Sequence, residues 1–90
     1  MSEIEPTRNA CREAQISDRL AKELNGSREA PTKFGRVDVL SNGWIVEVKE
    51  FTDWKAGLGQ ILAYADEFPG RQKRLHLFGL SPHVIIPDFR

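Results

Sequence analysis

Two carboxylates and an ammonium group are predicted to meet on one face of a β-hairpin. The hairpin is centred on Asn42-Gly43, a strong sequence signal for a two-residue type I′ turn. With that turn, Asp38 lies directly opposite Glu47, and directly opposed residues share a face of the sheet. Lys49 follows on the same face, about 6.6 Å further along the strand. This spacing predicts a close group of charged side chains on the hairpin.

The pairing of Asp38 with Glu47 needs a physical explanation, because like charges opposite each other destabilise a strand pair. A divalent cation between the two carboxylates removes that cost, and hard cations such as Mg²⁺ bind through carboxylate oxygens and water. An ammonium group beside the cation, here Lys49, could steady a phosphate or an attacking water. The alternative interpretation is a solvated polar face on a half-exposed hairpin. The close grouping of the three side chains favours a site.

The opposite face of the hairpin is predicted to be core. Its residues alternate with the charged ones and are all apolar: Val37, Val39, Val46 and Val48. The charged face is expected to carry Arg36 as well, with Leu40 and Ile45 towards the turn.

Asp38 followed by Glu47-Val48-Lys49 resembles the signature of the PD-(D/E)XK nuclease superfamily. In that family an acidic residue on one strand precedes (Asp/Glu)-x-Lys on the next strand. Val37 stands here where the family name has proline, at a position that varies widely in the family. The resemblance covers most of the chain, roughly Ala10 to Leu80. It points in particular to the small Holliday-junction-resolvase-like and phage-type members.

The resemblance implies a fold, a cofactor and a reaction. The fold is α/β (α+β) with a restriction-endonuclease-like core, in the order α-β-β-β-α-β, and its mixed central sheet is flanked by two helices. The cofactor is Mg²⁺, for which Mn²⁺ can substitute, held by Asp38, Glu47 and the main-chain carbonyl of Val48. The reaction is phosphodiester hydrolysis, in which the cation lowers the pKa of bound water and Lys49 positions that water.

Glu13 is a candidate third acidic group on the first helix. It lies three positions before Ile16 and therefore on the inward stripe of that helix. A buried carboxylate is costly unless it is paired or close to a metal ion. The family resemblance implies that Glu13 helps to hold the metal, often through water. The alternative is a boundary glutamate that pairs with Arg8, Arg12 or Arg19.

Gln60 is the candidate catalytic residue of the second helix. It lies four positions before Tyr64, so the two side chains share a helix face. That face is expected to differ from the apolar stripe, which includes Leu58, Ile61 and Leu62. Gln60 could donate to phosphate and accept from Lys49, and a glutamine of resolvase-like relatives has a similar role. The alternative is a surface glutamine of an amphipathic helix.

Charge gives the chain no general attraction to nucleic acid. It has 13 basic and 13 acidic residues and a formal net charge of 0, so local patches must supply any attraction to phosphate. The candidate contacts with nucleic acid are Lys33, Arg36, Lys55, Tyr64, Arg71, Lys73 and Arg74. For each basic residue taken singly, a solvated surface charge is the alternative interpretation.

Length and composition predict one small domain. The 90 residues allow a single core, with 1–6 and 82–90 peripheral. Because a domain of this size buries only about 60–65% of its unfolded surface and is marginal alone, we expect a homodimer or higher oligomer. The single Cys11 excludes an intrachain disulfide and a thiolate zinc cluster. No segment has the apolar length of a membrane span, so a cytoplasmic location is expected.

The first half of the chain is predicted to supply a helix and the hairpin. A helix is expected over 7–25, with Gly26 as the left-handed residue after its end. Residues 27–35 are predicted to form a short strand or loop, because Pro31 interrupts them.

The second half is predicted to supply a helix and one further strand. The helix is expected over about 52–68, and its Gly57 and Gly59 suggest close approach by the sheet or by a nucleic-acid backbone. Residues 71–74 resemble a basic loop, and 75–80 are predicted to form a strand.

Together these features predict a metal-dependent endonuclease that cuts DNA, either directed by DNA structure or weakly specific. The first alternative is a catalytically silent nucleic-acid-binding or assembly module with a nuclease-like fold. The presence of Asp38, Glu47 and Lys49 together argues against a silent copy. The second alternative is a structural or regulatory protein in which the apolar tail Val84-Ile85-Ile86 mediates assembly.

Overall fold

The computed structural model describes residues 8–79 as a four-stranded mixed sheet with a helix packed on each face. The elements along the chain are α1 (Arg8–Leu24), β1 (Ser27–Thr32), β2 (Gly35–Leu40), β3 (Trp44–Glu50), α2 (Trp54–Ala65) and β4 (Gln72–Phe78). The strands lie in the order β1-β2-β3-β4, and all neighbours are antiparallel except the parallel pair β3–β4. The predicted fold class and the order α-β-β-β-α-β are confirmed.

The segments outside residues 8–79 are not described. They include the ranges predicted to be peripheral, 1–6 and 82–90, and the apolar tail Val84-Ile85-Ile86. Within residues 8–79, no helix is long and apolar enough to cross a bilayer. The expected homodimer and the cytoplasmic location stay predictions.

The β2–β3 hairpin turns at Asn42-Gly43, the predicted residues, but the predicted type I′ turn is wrong, because neither residue has the positive φ that this turn requires. The Ser41 N–H donates to the Trp44 carbonyl at 2.9 Å, and the Trp44 N–H donates to Ser41 Oγ at 3.1 Å. The register beside the turn pairs Leu40 with Ile45 and Val39 with Val46, which is the predicted register. A one-residue slip would turn every side chain to the other face, so this turn determines which residues face each helix.

The two faces of the sheet carry separate cores. The core beneath α1 consists of Leu20, Ala21, Val39, Val46, Val48 and Phe78. The core beneath α2 consists of Val37, Ile45, Ile61 and Tyr64. The predicted charged face of the hairpin is therefore the face on which α2 packs.

Val37 packs in a different core from the predicted one. We expected it to share a core with Val39, but it packs with Ile45 and Ile61 beneath α2. In a regular strand, residues two apart face the same side. The prediction is wrong because β2 is interrupted at Asp38, between the two valines.

The end of α1 differs from the prediction in one residue. Asn25, with a φ of 53°, is the left-handed residue, so the prediction that Gly26 takes this role is wrong. Asparagine tolerates this conformation better than most residues. Position 26 requires glycine for a different reason, because a Cβ there would lie 2.7 Å from the Leu40 main-chain oxygen. The helix end thus lies directly against β2.

The inward stripe of α2 also differs from the predicted one. Its buried residues are Gly57, Ile61 and Tyr64. Leu58 and Leu62, which we placed on the inward stripe, are 38% and 54% exposed. The helix rotates towards Gly57 because the absence of a side chain there lets β3 approach closely. It ends at Ala65, earlier than predicted.

The outer strands accommodate residues that the sequence assigned to loops. β1 is an edge strand, which tolerates Pro31 because one side of its backbone needs no partner. β4 already begins at Gln72, which pairs with Trp44. Lys73 and Arg74 are therefore strand residues on opposite faces of the sheet rather than parts of a loop.

We predict opposite effects of alanine at the two glycines of α2. A Cβ at Gly57 would lie 2.7 Å from Lys49 Cγ and 2.8 Å from Leu75 Cδ1, whereas a Cβ at Gly59 would meet nothing within 4 Å. Gly59→Ala should stabilise the fold by about 0.5–1 kcal/mol through helix propensity. Gly57→Ala should destabilise it, because helix and sheet must move apart. Urea denaturation measures both, and equal effects would contradict the close packing at Gly57.

Candidate functional site

β2 leaves both of its hydrogen-bond ladders at Asp38. On the β1 side, the register skips the pair Glu29–Asp38, and Glu29 has a φ of 55°. On the β3 side, the paired register ends at Val39–Val46. Side chains take the place of the missing strand partners.

Both main-chain groups of Asp38 are bonded by side chains. Its N–H donates to Glu47 Oε1 at 3.1 Å, and its carbonyl accepts a bond from Arg28 Nε at 3.2 Å. The Asp38 carboxylate in turn accepts the Val48 N–H on Oδ2, at 2.8 Å. Each carboxylate thus accepts a main-chain N–H of the opposite strand. Because buried main-chain groups need partners, these bonds hold the two carboxylates in place.

Burial and mutual repulsion favour protons on the two carboxylates. Glu47 is 2% exposed, and burial followed by the charge of Asp38 raises its pKa to about 8, although the Asp38 N–H and Lys49 oppose this rise. Burial also raises the pKa of Asp38, against the Val48 N–H bond and the charges of Lys49 and Arg28. The pair therefore retains a proton near neutral pH unless a cation displaces it.

Lys49 lies on the α2 side of β3 together with Glu47. Its stem lies against Gly57 of α2, where a Cβ would come within 2.7 Å of Lys49 Cγ. Its charge lowers the pKa of both Asp38 and Glu47. The structure therefore brings together the three side chains of the motif, and the packed stem keeps the ammonium group close to the carboxylates.

Glu13 approaches the same charges from α1. Burial raises its pKa, the charge of Lys49 lowers it, and the charge of Asp38 raises it. Within residues 8–79, however, no three His, Cys, Asp or Glu side chains form a group that could hold a metal ion. The geometry therefore does not support Glu13 as a direct third ligand. The prediction that Glu13 contacts the metal ion through a water molecule stays a prediction.

Gln60 contributes a buried oxygen. Its Oε1 has no hydrogen-bond partner among the described residues. Gln60 lies between Gly57 and Tyr64 on α2. Gly57 packs against Lys49, and the charge of Glu47 raises the pKa of Tyr64. An unpaired buried oxygen costs about 1–3 kcal/mol. Amide and carboxylate oxygens are the donor types that a hard divalent cation prefers.

Tyr64 is buried beneath the site. Its side chain belongs to the α2 core and is 5% exposed, and a Cβ on Gly35 would lie 2.7 Å from its hydroxyl oxygen. Burial, followed by the charges of Glu47 and Asp38, raises its pKa. The predicted contact of Tyr64 with nucleic acid does not agree with this position, because a buried ring offers almost no surface to a ligand.

The predicted basic contacts are spread over several surfaces. Three lie over neighbouring rings: Lys33 over Phe34 at 5.2 Å, Lys55 over Trp54 at 5.7 Å, and Arg71 over Phe68 at 5.1 Å. Lys73 lines an apolar pocket of about 240 Å³ between α2 and β4. Arg74 lies on the other face of β4 beside His76, and Arg36 is exposed on β2. The structure does not gather these residues into one patch.

Arg28 is a site residue that the motif did not indicate. It donates to the Asp38 carbonyl and pairs with Asp18 of α1. Its charge also lowers the pKa of Asp38. No residue type or spacing marks this role, because it depends on the skipped pair Glu29–Asp38, and the alternation of β1 does not reveal that gap.

The fold and the site define an α+β domain in which two interlocked carboxylates and a lysine lie at an interruption of the sheet. Three proteins of Acanthamoeba polyphaga mimivirus, each named as a KilA-N domain-containing protein, are similar to it in sequence. The identities are 37% over 76 residues, 41% over 80 residues and 32% over 80 residues.

The matched region is most of this chain but a minor part of the relatives. It covers 84% of this chain and 31% of the first relative, and 89% of this chain and 22% of each of the other two. The chain therefore spans about a fifth to a third of the length of these proteins. No family model matches the chain, and no solved structure matches it significantly.

We predict that the metal-free protein loses stability as the pH rises towards 8. The pKa of Glu47 is about 8 in the fold against an ordinary value of 4.5, so the folded state binds this proton more tightly than the unfolded chain. The resulting stability is complete below about pH 4.5 and is lost as the pH rises through about 8. Glu47→Gln can still accept the Asp38 N–H but cannot ionise, so its stability should depend less on pH.

Thermal unfolding in EDTA across this pH range measures the difference between the two proteins. Because both share every other titrating group, the comparison isolates position 47. An equally steep fall of the melting temperature in wild type and Glu47→Gln would contradict the raised pKa.

We also predict that Arg28→Gln destabilises the fold by about 1–3 kcal/mol, because the Asp38 carbonyl loses its charged donor. Arg19→Gln is the matched control. Arg19 pairs with Glu23 at 3.8 Å between largely exposed side chains, and such pairs contribute about 0–1 kcal/mol. Urea denaturation compares the two, and equal losses would mean that Arg28 acts only as a surface charge.

Proposed function

We propose that this chain is a nucleic-acid-binding domain that hydrolyses phosphodiester bonds of DNA with a divalent cation. The observation that carries the proposal is the interlocked pair Asp38–Glu47 with Lys49 beside it. Two carboxylates held together inside a fold cost stability. Their presence therefore indicates a role other than stabilising the fold. Strongly perturbed pKa values cluster at functional sites. The PD-(D/E)XK resemblance supports the same reaction through its motif and its element order.

The relatives support nucleic acid as the partner. Their names refer to KilA-N, which is a DNA-binding domain. Since this chain corresponds to 22–31% of those proteins, DNA as its own partner is part of the proposal. The names support binding more directly than cleavage, and cleavage rests on the site.

The residues of the site have distinct roles in the proposed reaction. When bound, Mg²⁺ or Mn²⁺ would polarise the scissile phosphate and lower the pKa of a bound water. Asp38, Glu47 and the Val48 carbonyl would hold the cation. The Lys49 ammonium would stabilise the negative charge that develops on the phosphate. The Gln60 oxygen would accept a hydrogen bond from that ammonium and fix its direction.

The alternative is a catalytically silent module that binds DNA. Within residues 8–79, no third carboxylate or imidazole joins Asp38 and Glu47 as a metal ligand, which favours this alternative. The names of the relatives agree with it as well. The two functions share the DNA partner and differ only in cleavage, so one assay distinguishes them.

We predict metal-dependent cleavage that requires the site. Wild type is assayed with Mg²⁺ and with Mn²⁺ on single-stranded, duplex, flapped and four-way-junction DNA. Lys49→Ala and Asp38→Asn should each reduce cleavage by about 10²–10³-fold, as expected for the loss of one group that stabilises charge in the transition state. Lys22→Ala is the control, because Lys22 is an exposed lysine in the last turn of α1.

The outcomes separate the two functions. Folded wild type that binds DNA but cuts none of the four substrates with either cation would support the silent module. Wild type that neither binds nor cuts would contradict both. A loss in Lys22→Ala as large as that in Lys49→Ala would assign the effect to general charge rather than to the site.

A further inference from the structure

Side chains of α1 and β4 meet on the face of the sheet away from α2. The β4 residues Arg74, His76 and Phe78 pair with Val46, Val48 and Glu50 of β3. Paired residues share a face, and Val46 and Val48 are buried beneath α1. The three β4 side chains therefore lie on the α1 side.

Four of these side chains form what we call the arginine row: Arg12, Arg19, Arg74 and His76. The Arg12 guanidinium lies 4.9 Å from the centre of the Phe78 ring, and Arg74 Nη2 lies 3.3 Å from His76 Nδ1. Burial and the charges of Arg74 and Arg19 lower the pKa of His76. The ring is then neutral at pH 7 and can accept the Arg74 N–H.

The arginine row is a local excess of positive charge in a chain with a formal net charge of 0. One carboxylate on this face is Glu23, which acts on His76 and pairs with Arg19 at 3.8 Å. That pair is largely exposed and therefore weak. Glu50, which pairs with Phe78, is a second carboxylate on this face, so three guanidinium groups accompany two carboxylates among these residues. Because guanidinium groups match the geometry of phosphate, the row suits a ligand that carries several phosphates.

The row has the length of a few nucleotides. Arg12 and Arg19 are two helical turns apart, about 10 Å along α1. Arg74 to Phe78 spans about 13 Å along β4. A nucleic-acid strand advances about 3.4 Å per nucleotide, so the row can accompany roughly three or four nucleotides.

One end of the row lies beside the carboxylate site. Phe78, beneath Arg12, pairs with Glu50, the residue after Lys49. Glu13, the residue after Arg12, is close enough to Lys49 for that charge to change its pKa. A strand that follows the row would therefore reach the end of β3 that carries Lys49.

We infer that the arginine row binds the phosphate backbone of a DNA strand and leads that strand to the Asp38–Glu47 site. The inference rests on the proposed function, since it assigns the surface that holds the same substrate. An acidic peptide would also be attracted by the charge. The spacing along both elements and the end at a phosphodiester site favour a nucleic-acid backbone.

The test is DNA binding by the full chain in EDTA, where cleavage does not occur. Fluorescence anisotropy with a labelled single strand and a labelled duplex compares wild type with Arg12→Gln/Arg19→Gln/Arg74→Gln. The row variant should bind DNA about 10–100-fold more weakly than wild type. The slope of log K against log salt concentration should also be shallower by about 2, since each lost phosphate contact reduces that slope by about 0.7–0.9.

A second triple variant removes the same charge elsewhere. Lys33, Lys55 and Arg71, which lie over neighbouring rings, are all changed to Gln. Because these three residues were themselves candidate contacts with nucleic acid, this variant compares two surfaces, and it should lose less affinity than the row variant. Circular dichroism confirms folding, and Arg12→Gln and Arg19→Gln serve as exposed single changes if the row variant does not fold.

The outcomes separate this inference from the proposed function. If wild type binds DNA and the row variants bind equally well, the row is not the DNA surface, although the proposed function stands. A larger loss in the second triple variant than in the row variant would also exclude the row as the DNA surface. If wild type binds no DNA, both are overturned. Displacement of the DNA by polyglutamate at a lower concentration than by unlabelled DNA would identify an acidic peptide as the partner instead.

Discussion

The sheet of this domain depends on an exchange of hydrogen bonds between two acidic side chains and the opposite strands. Asp38 and Glu47 each accept a main-chain N–H across the β2–β3 interface. Without these bonds, β2 would leave buried main-chain groups unpaired. The exchange places two carboxylates in a buried setting that raises both pKa values. Apolar residues would often be at least as stable in such a setting, so stability alone does not explain the pair.

The rest of the site is arranged around this exchange. Arg28 bonds the Asp38 carbonyl that the β1 ladder leaves free. Gly57 lets α2 approach β3 so closely that the Lys49 stem is packed beside the carboxylates. Gln60, on the same side of α2, adds an oxygen that lacks a partner among residues 8–79. Arg28 and Lys49 thus both act on the charge of Asp38, and Gly57 determines how closely α2 packs against Lys49.

The sequence predicted the parts of this arrangement that depend on local geometry. The Asn42-Gly43 turn defines the register near it, so the proximity of Asp38 and Glu47 followed by counting along the strands, although the two are not paired in the sheet. The exchanged bonds could not be predicted, because alternation of residue types does not show where a strand leaves its ladder. The misplacement of Val37 has the same cause. The role of Arg28 could not be predicted either, because it depends on the same interruption of β2 at Asp38.

Other features depend on packing between distant elements. Leu58 and Leu62 have the spacing of an inward stripe, yet close approach at Gly57 turns them outwards. The early start of β4 separates Lys73 from Arg74, which a loop would have kept together. It also brings Arg74 close to His76, near the arginines of α1. A surface built from a helix and a strand so far apart in sequence has no local signal.

The most direct test of the central claim is a titration of Mn²⁺ into the metal-free protein, followed by the electron paramagnetic resonance signal of free Mn²⁺. We expect one Mn²⁺ per chain, bound more tightly at pH 8 than at pH 6 because the cation competes with the shared proton. Asp38→Asn should abolish this binding, and Lys49→Ala should retain it. Wild type that binds no Mn²⁺, or an Asp38→Asn variant that binds it equally well, would contradict the assignment of the carboxylate pair as a cation site.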